Sequence, residues 1–144
     1  MKKPNSNLEK VLSILVLYPE LNREGIRYNI QLLKDIISFE VIYNKMLENR
    51  QYLVDRCDFI VALSEFLQKK IEKTLTIRDI SSYNIKHICE KNFKSQKFGD
   101  TSISNGELIT AALLAGFECK PIKDSPNVYF NMAQESIKNI AIRR

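Results

Sequence analysis

Ser104-Asn105-Gly106-Glu107, continued by Leu108 to Ala115 and closed by Gly116-Phe117, is the stretch that orders the rest of the chain. A serine followed three residues later by a glutamate forms a capping box: the hydroxyl accepts from the third helical amide and the carboxylate reaches back to the cap. The apolar run behind it continues as a helix until Gly116, and Phe117 supplies the hydrophobic residue that commonly follows a glycine stop. Two short stretches, 118–122 and 128–132, have strand character. Lys123-Asp124-Ser125-Pro126-Asn127 lies between them and carries turn chemistry, so a β-hairpin is expected.

Upstream, Asp79 and Ser81 are candidate caps for a helix running to about Phe93, with Ile85, Ile88, Cys89 and Phe93 as its core stripe. The β-branched segment 74–77 suits a brief strand. An earlier helix places Leu53, Val54, Cys57, Ile60, Val61, Ser64 and Leu67 on one side. The order from about residue 50 to 132 is then helix, strand, helix, helix, strand, turn, strand, which is the order of a winged helix. The polar connection 94–101, with Gly99-Asp100 as a turn signal, is longer than that fold ordinarily needs. A tail over 133–144, carrying Ile137, Ile140 and Ile142, is expected to form a short final helix.

At the other end, Ser6-Asn7-Leu8-Glu9 is a second capping box and Pro19 closes the helix it opens. Val11, Leu12, Ile14, Leu15, Val16 and Leu17 make that helix apolar nearly all round, which calls for burial between other elements or at an oligomer contact. Asn22 can cap a longer helix bearing Ile26, Ile30, Leu33, Ile37 and Val41, with a break near 48–50. The fold expected is mainly α with a small β-hairpin. A helical extension over 1–49, supporting or dimerising, precedes a winged-helix-like unit over 50–144 that ends in a helical tail.

The 144 residues are 44% hydrophobic and 27% charged, ordinary values for a globular chain, with a modest net charge of +5 that permits a polyanion partner without demanding one. Cys57, Cys89 and Cys119 are odd in number and widely spaced, so no disulfide framework is expected and a reducing cytoplasm fits them. Lys2 and Lys3 precede an apolar run, but Glu9 and Lys10 interrupt it and no small-residue cleavage site follows. No apolar stretch approaches the ~20 residues of a membrane helix.

The most suggestive chemistry lies on the helix after Ser81. Tyr83, His87, Lys91 and Lys94 cluster opposite its core stripe, with Lys86 adjacent. An aromatic ring, an imidazole and ammonium groups on one face suit phosphate contacts and base stacking, although a solvated outer face gives the same pattern. The helix after Ser104 is a poor reader of bases. Glu107, Thr110 and Leu114 are expected to face outward on it, and they suit a protein partner better than the Arg or Asn pairings that read bases. Lys123 can touch a phosphate from the hairpin turn. Catalysis finds no nucleophile elbow or phosphate loop. Cys57, His87, Cys89 and Cys119 lack the spacing of a zinc site, so no metal or other cofactor is expected.

Ser82-Tyr83-Asn84-Ile85-Lys86-His87, then Ser104 to Ile109 with Ala111-Ala112, Gly116-Phe117 and Pro126-Asn127, resembles a block in short uncharacterised proteins of phages and mobile elements. The resemblance covers residues 82–132 only and carries no activity with it. It draws notice to Tyr83, Lys86, His87, Asn105 and Gly106, and implies a role in element maintenance, regulation or host interference. The functional expectation is a non-enzymatic nucleic-acid-binding protein with backbone-dominated contacts through Tyr83, Lys86, His87, Lys91, Lys94 and Lys123. The alternative is a protein-interaction module or small inhibitor using helix 105–115 or the N-terminal helix.

Overall fold

A computed structural model describes residues 6–26, 39–93 and 102–142, the side chains of 39–43 and 141–142 excepted. The chain is mainly helical. Helix α1 spans Ser6–Leu17. Helices α2 (Phe39–Asp55) and α3 (Cys57–Lys70) follow, then α4 (Ser82–Asn92) and α5 (Asn105–Leu114). Strands β1 (Cys119–Pro121) and β2 (Val128–Phe130) pair antiparallel, with Lys120 opposite Tyr129, and α6 (Gln134–Ile142) closes the described chain.

The apolar face of α1 presents Val11, Ile14 and Leu15 to the core. Pro19 cannot continue the helix, so carbonyls at its C-terminal end need outside donors. Arg50 supplies them. Its guanidinium donates to the carbonyls of Leu15 at 2.8 Å, Tyr18 at 3.0 Å, Pro19 at 2.6 Å and Leu21 at 2.8 Å. Burial pushes the Arg50 pKa down from its ordinary value.

The break expected near 48–50 is absent, since α2 runs through it. The interruption comes at Arg56, where the backbone leaves helical geometry for one residue (φ −101°, ψ 20°). A boundary at 49/50 therefore falls inside α2. Moreover, α1 packs on α3 and α5, sharing one apolar cluster with the elements that follow. Asn22 does not begin a helix: its amide donates to Gly25 O at 2.8 Å and its Oδ1 accepts from Glu24 N at 2.9 Å, closing a tight turn. Ile30, Leu33 and Ile37 lie outside the described residues, as does the Val41 side chain.

Segment 74–77 is not a strand either. It bows out between two isolated bridges, Lys73 with Met132 and Ser81 with Tyr129, and leaves Leu75 fully exposed. Backbone bonds still hold its ends along β2, from Thr74 N to Asn131 O at 2.9 Å and from Phe130 N to Ile80 O at 2.9 Å. Seven residues between bridges that span only two on the partner cannot stay in register, so the excess loops outward.

Helix α5 is the centre of the molecule. Residues Gly106 to Leu113 are all buried, beneath α1, α3 and α4. Glu107 and Thr110, expected to face outward, are wholly buried, and Leu114 is half-buried. The reason is local. A helix reading NGELITAALL has apolar side chains on every side, so no orientation leaves a polar face for solvent.

Candidate nucleic-acid interface on helix α4

The sequence dictates how α4 is held. Ser81 caps it, its hydroxyl accepting from Asn84 N at 3.3 Å. Buried Ser82 accepts from Val128 N at 3.1 Å, fastening the helix start to β2. Ile85 and Cys89 point inward. At the far end Phe93 lies in an aromatic group, its ring centroid 5.1 Å from Phe66 and 5.8 Å from Phe59. With that side committed to the core, residues 83, 86, 87, 90 and 91 occupy an arc of roughly 140° on the other.

On this arc Tyr83 and His87 meet edge to face, centroids 4.4 Å apart, and both remain about half exposed. Lys86 Nζ lies 5.9 Å from the Tyr83 ring centroid. Glu90 Oε1 is shared, lying 3.4 Å from Lys86 Nζ and 3.4 Å from His87 Nδ1. The other oxygen, Oε2, accepts from Ile103 N at 2.9 Å. Lys91 is exposed one residue further on. The structure thus joins Tyr83, Lys86 and His87 in one group. Lys123 stands exposed on the turn between β1 and β2, beside Asp124, whose φ is +60°. Lys94 lies outside the described residues.

Glu90 is the member of this group that the sequence reading passed over. Its signal was present, since an acid three residues after a histidine and four after a lysine shares their helix face. A second constellation, of which only the Ser104–Glu107 cap is legible in the sequence, surrounds Glu107 and Thr110, two of the three residues expected as partner contacts. Glu107 Oε2 accepts from Arg56 Nε at 2.9 Å, and Oε1 accepts from Ser104 N at 3.0 Å and, more weakly, from Tyr52 Oη at 3.4 Å. Thr110 donates to Gly106 O at 2.7 Å. These groups satisfy one another inside the protein, so their role is to hold α5.

The cysteines are free, and burial raises all three thiols above the ordinary range: Cys89 to about 12, Cys119 to about 11. For Cys89 the nearby Glu90 charge adds a smaller push in the same direction. A thiol held protonated is a poor nucleophile and a poor metal ligand. Among the described residues, no three His, Cys, Asp or Glu side chains converge as a metal site would require.

Charge is distributed unevenly. Of the 22 Lys and Arg and 17 Asp and Glu, eight cations and three acids lie outside the described side chains, leaving fourteen of each sign within them. The described body is therefore balanced, and any polyanion preference within it must come from local arrangement. Among the described residues, no helix is long and apolar enough to cross a membrane. No protein-family model, curated protein or solved structure matches this chain.

Proposed function

We propose that this is a non-enzymatic binding protein whose α4 outer face holds nucleic acid through its phosphate backbone. One observation carries the reading. Tyr83 and His87 are brought into ring contact while half exposed, with Lys86 and Lys91 alongside, on the side of the helix that faces away from the core. A flat ring for stacking beside ammonium groups for phosphates is the usual composition of sequence-tolerant contact.

The order helix, helix, helix, hairpin over 57–130, with the connection after the first helix bridged to the hairpin side at Lys73 and Ser81, supports a winged-helix-like unit. In such a unit α5 would be the helix that enters a groove. Here α1 and α3 cover it, which turns the reading toward α4 and away from base recognition. The resemblance of residues 82–132 to phage and mobile-element proteins fits a maintenance or regulatory role, and three free thiols fit a reducing cytoplasm.

Replacing Lys91 and Lys94 together with Glu should abolish DNA binding while leaving the thermal melt in place. With about three phosphates neutralised, log affinity on duplex DNA should fall against log salt with a slope near −3. A second reading rests on α1, where Leu12, Val16 and Leu17 are 41%, 76% and 71% exposed. These residues suit a protein contact, including one with a second copy of the chain, that Val16→Asp would disrupt and salt would scarcely affect. Absence of DNA or RNA binding at low salt would sink the first reading and promote this one.

A further inference from the structure

We infer that Glu90 is a fixed internal counter-ion with which a phosphate must compete for Lys86, and that it sets the strength of the α4 contact. This rests on the reading of α4 as the nucleic-acid face. The geometry separates Glu90 from an ordinary surface acid. One carboxylate oxygen is tied to the Ile103 backbone amide at 2.9 Å, so swinging away into solvent when a polyanion approaches would cost the group that charge-assisted bond. The other oxygen stands 3.4 Å from both Lys86 Nζ and His87 Nδ1, on the surface that a phosphate would occupy. Its side chain is only 22% exposed, which weakens solvent screening of its charge.

The consequence is an exchange. In the free protein Lys86 is paired with Glu90, whereas Lys91, exposed beside it, makes no ion pair with an acid of the described residues. When a phosphate binds, Lys86 trades carboxylate for phosphate while the pinned Glu90 charge remains underneath. Contact through Lys91 gains a full ion pair, whereas contact through Lys86 gains only a difference. The arrangement favours a loosely held, readily released backbone over a tight one.

The test uses Glu90→Gln in the full chain, because a carboxamide oxygen can still accept from Ile103 N. Binding to a fluorescently labelled mixed-sequence DNA duplex is measured across a salt series, with thermal melts run alongside to check the fold. The expected result is affinity roughly tenfold tighter than wild type at low salt, with the salt slope steeper by about 0.9, the increment of one phosphate contact. A double-mutant cycle guards against an indirect effect. Lys86→Gln should cost little in the wild-type background and more in the Glu90→Gln background, while Lys91→Gln should cost the same in both. Wild-type binding with no gain from Glu90→Gln, or equal Lys86→Gln costs in the two backgrounds, would overturn the inference and leave the α4 reading standing. No binding by either wild type or Glu90→Gln at low salt would overturn both.

Discussion

Gly106 decides more of this fold than its size suggests. It lies in the first turn of α5, and Gly→Ala ordinarily favours a helix, by up to about 1 kcal/mol in its interior. Here the sign reverses. A Cβ at this position would sit 1.8 Å from the Asn22 carbonyl oxygen, and that atom is backbone, with no side chain free to yield. The close approach has a purpose. Gly106 N donates to Arg23 O at 2.9 Å, and the neighbouring Asn105 carboxamide donates to Glu24 O at 2.9 Å and Pro126 O at 3.3 Å. Gly25, at φ +136°, lets the turn pass the hairpin, and Ile26 N then donates to Pro126 O at 3.1 Å. Three remote segments are fastened at one point. Gly106→Ala should therefore destabilise by about 3 kcal/mol, the range of an overpacked core site, where helix propensity alone promises a gain. A melting temperature equal to or above wild type would show that the 22–26 turn does not seat on α5 as described.

At the scale of elements, much of the chain was legible because punctuation and periodicity agreed. Ser104 and Glu107 form the expected capping box, Gly116 takes φ +94°, Ser81 caps α4, and the hairpin pairs where the turn residues predicted. Failures occurred where tertiary contacts outvote local signals. Asn22 carries a cap residue's chemistry but spends it on a turn, and segment 74–77 has strand composition but too many residues for its bridges. Glu107 was misplaced because a charged residue on a helix is ordinarily exposed. The all-round apolar composition of α5 argues locally for its burial, but its partner Arg56, fifty-one residues away, is not announced by anything local. The pair makes a test. Arg56→Met leaves a wholly buried carboxylate without its cation and should cost about 3–5 kcal/mol. Glu107→Gln should cost less, since Arg56 is partly exposed and can hydrate. The double variant should then lose well less than the sum of the two single losses, as measured by chemical denaturation, because a carboxamide at position 107 no longer needs the missing cation. Additive losses within about 0.5 kcal/mol would mean the two residues stabilise α5 independently.

At the scale of the whole molecule, the core fixes how stability responds to alkali. Cys89 sits fully buried between α4 and the rest of the core, and its thiol is held protonated up to about 12, whereas an unfolded thiol ionises near 9.0. Between those values the unfolded chain has released a proton that the native state still binds. Native stability contributed by this group is complete below pH 9 and declines as pH rises toward 12, by about 1.4 kcal/mol per unit at the steepest. Cys119, Cys57 and Tyr18 are raised too, so they act in the same direction, with Cys119 levelling off near 11. Melting temperatures measured in reducing buffer should be level from pH 7 to 8.5 and then fall steadily. Lysine deprotonation also erodes stability in this range, so the slope alone does not assign the cause. Cys89→Ala separates them: it should lower the melting temperature at neutral pH, through the cavity it leaves, yet show a shallower decline above pH 9. Parallel curves for wild type and Cys89→Ala would mean that this thiol ionises in the native state as it does in the unfolded chain, and that the core around α4 and α5 admits water.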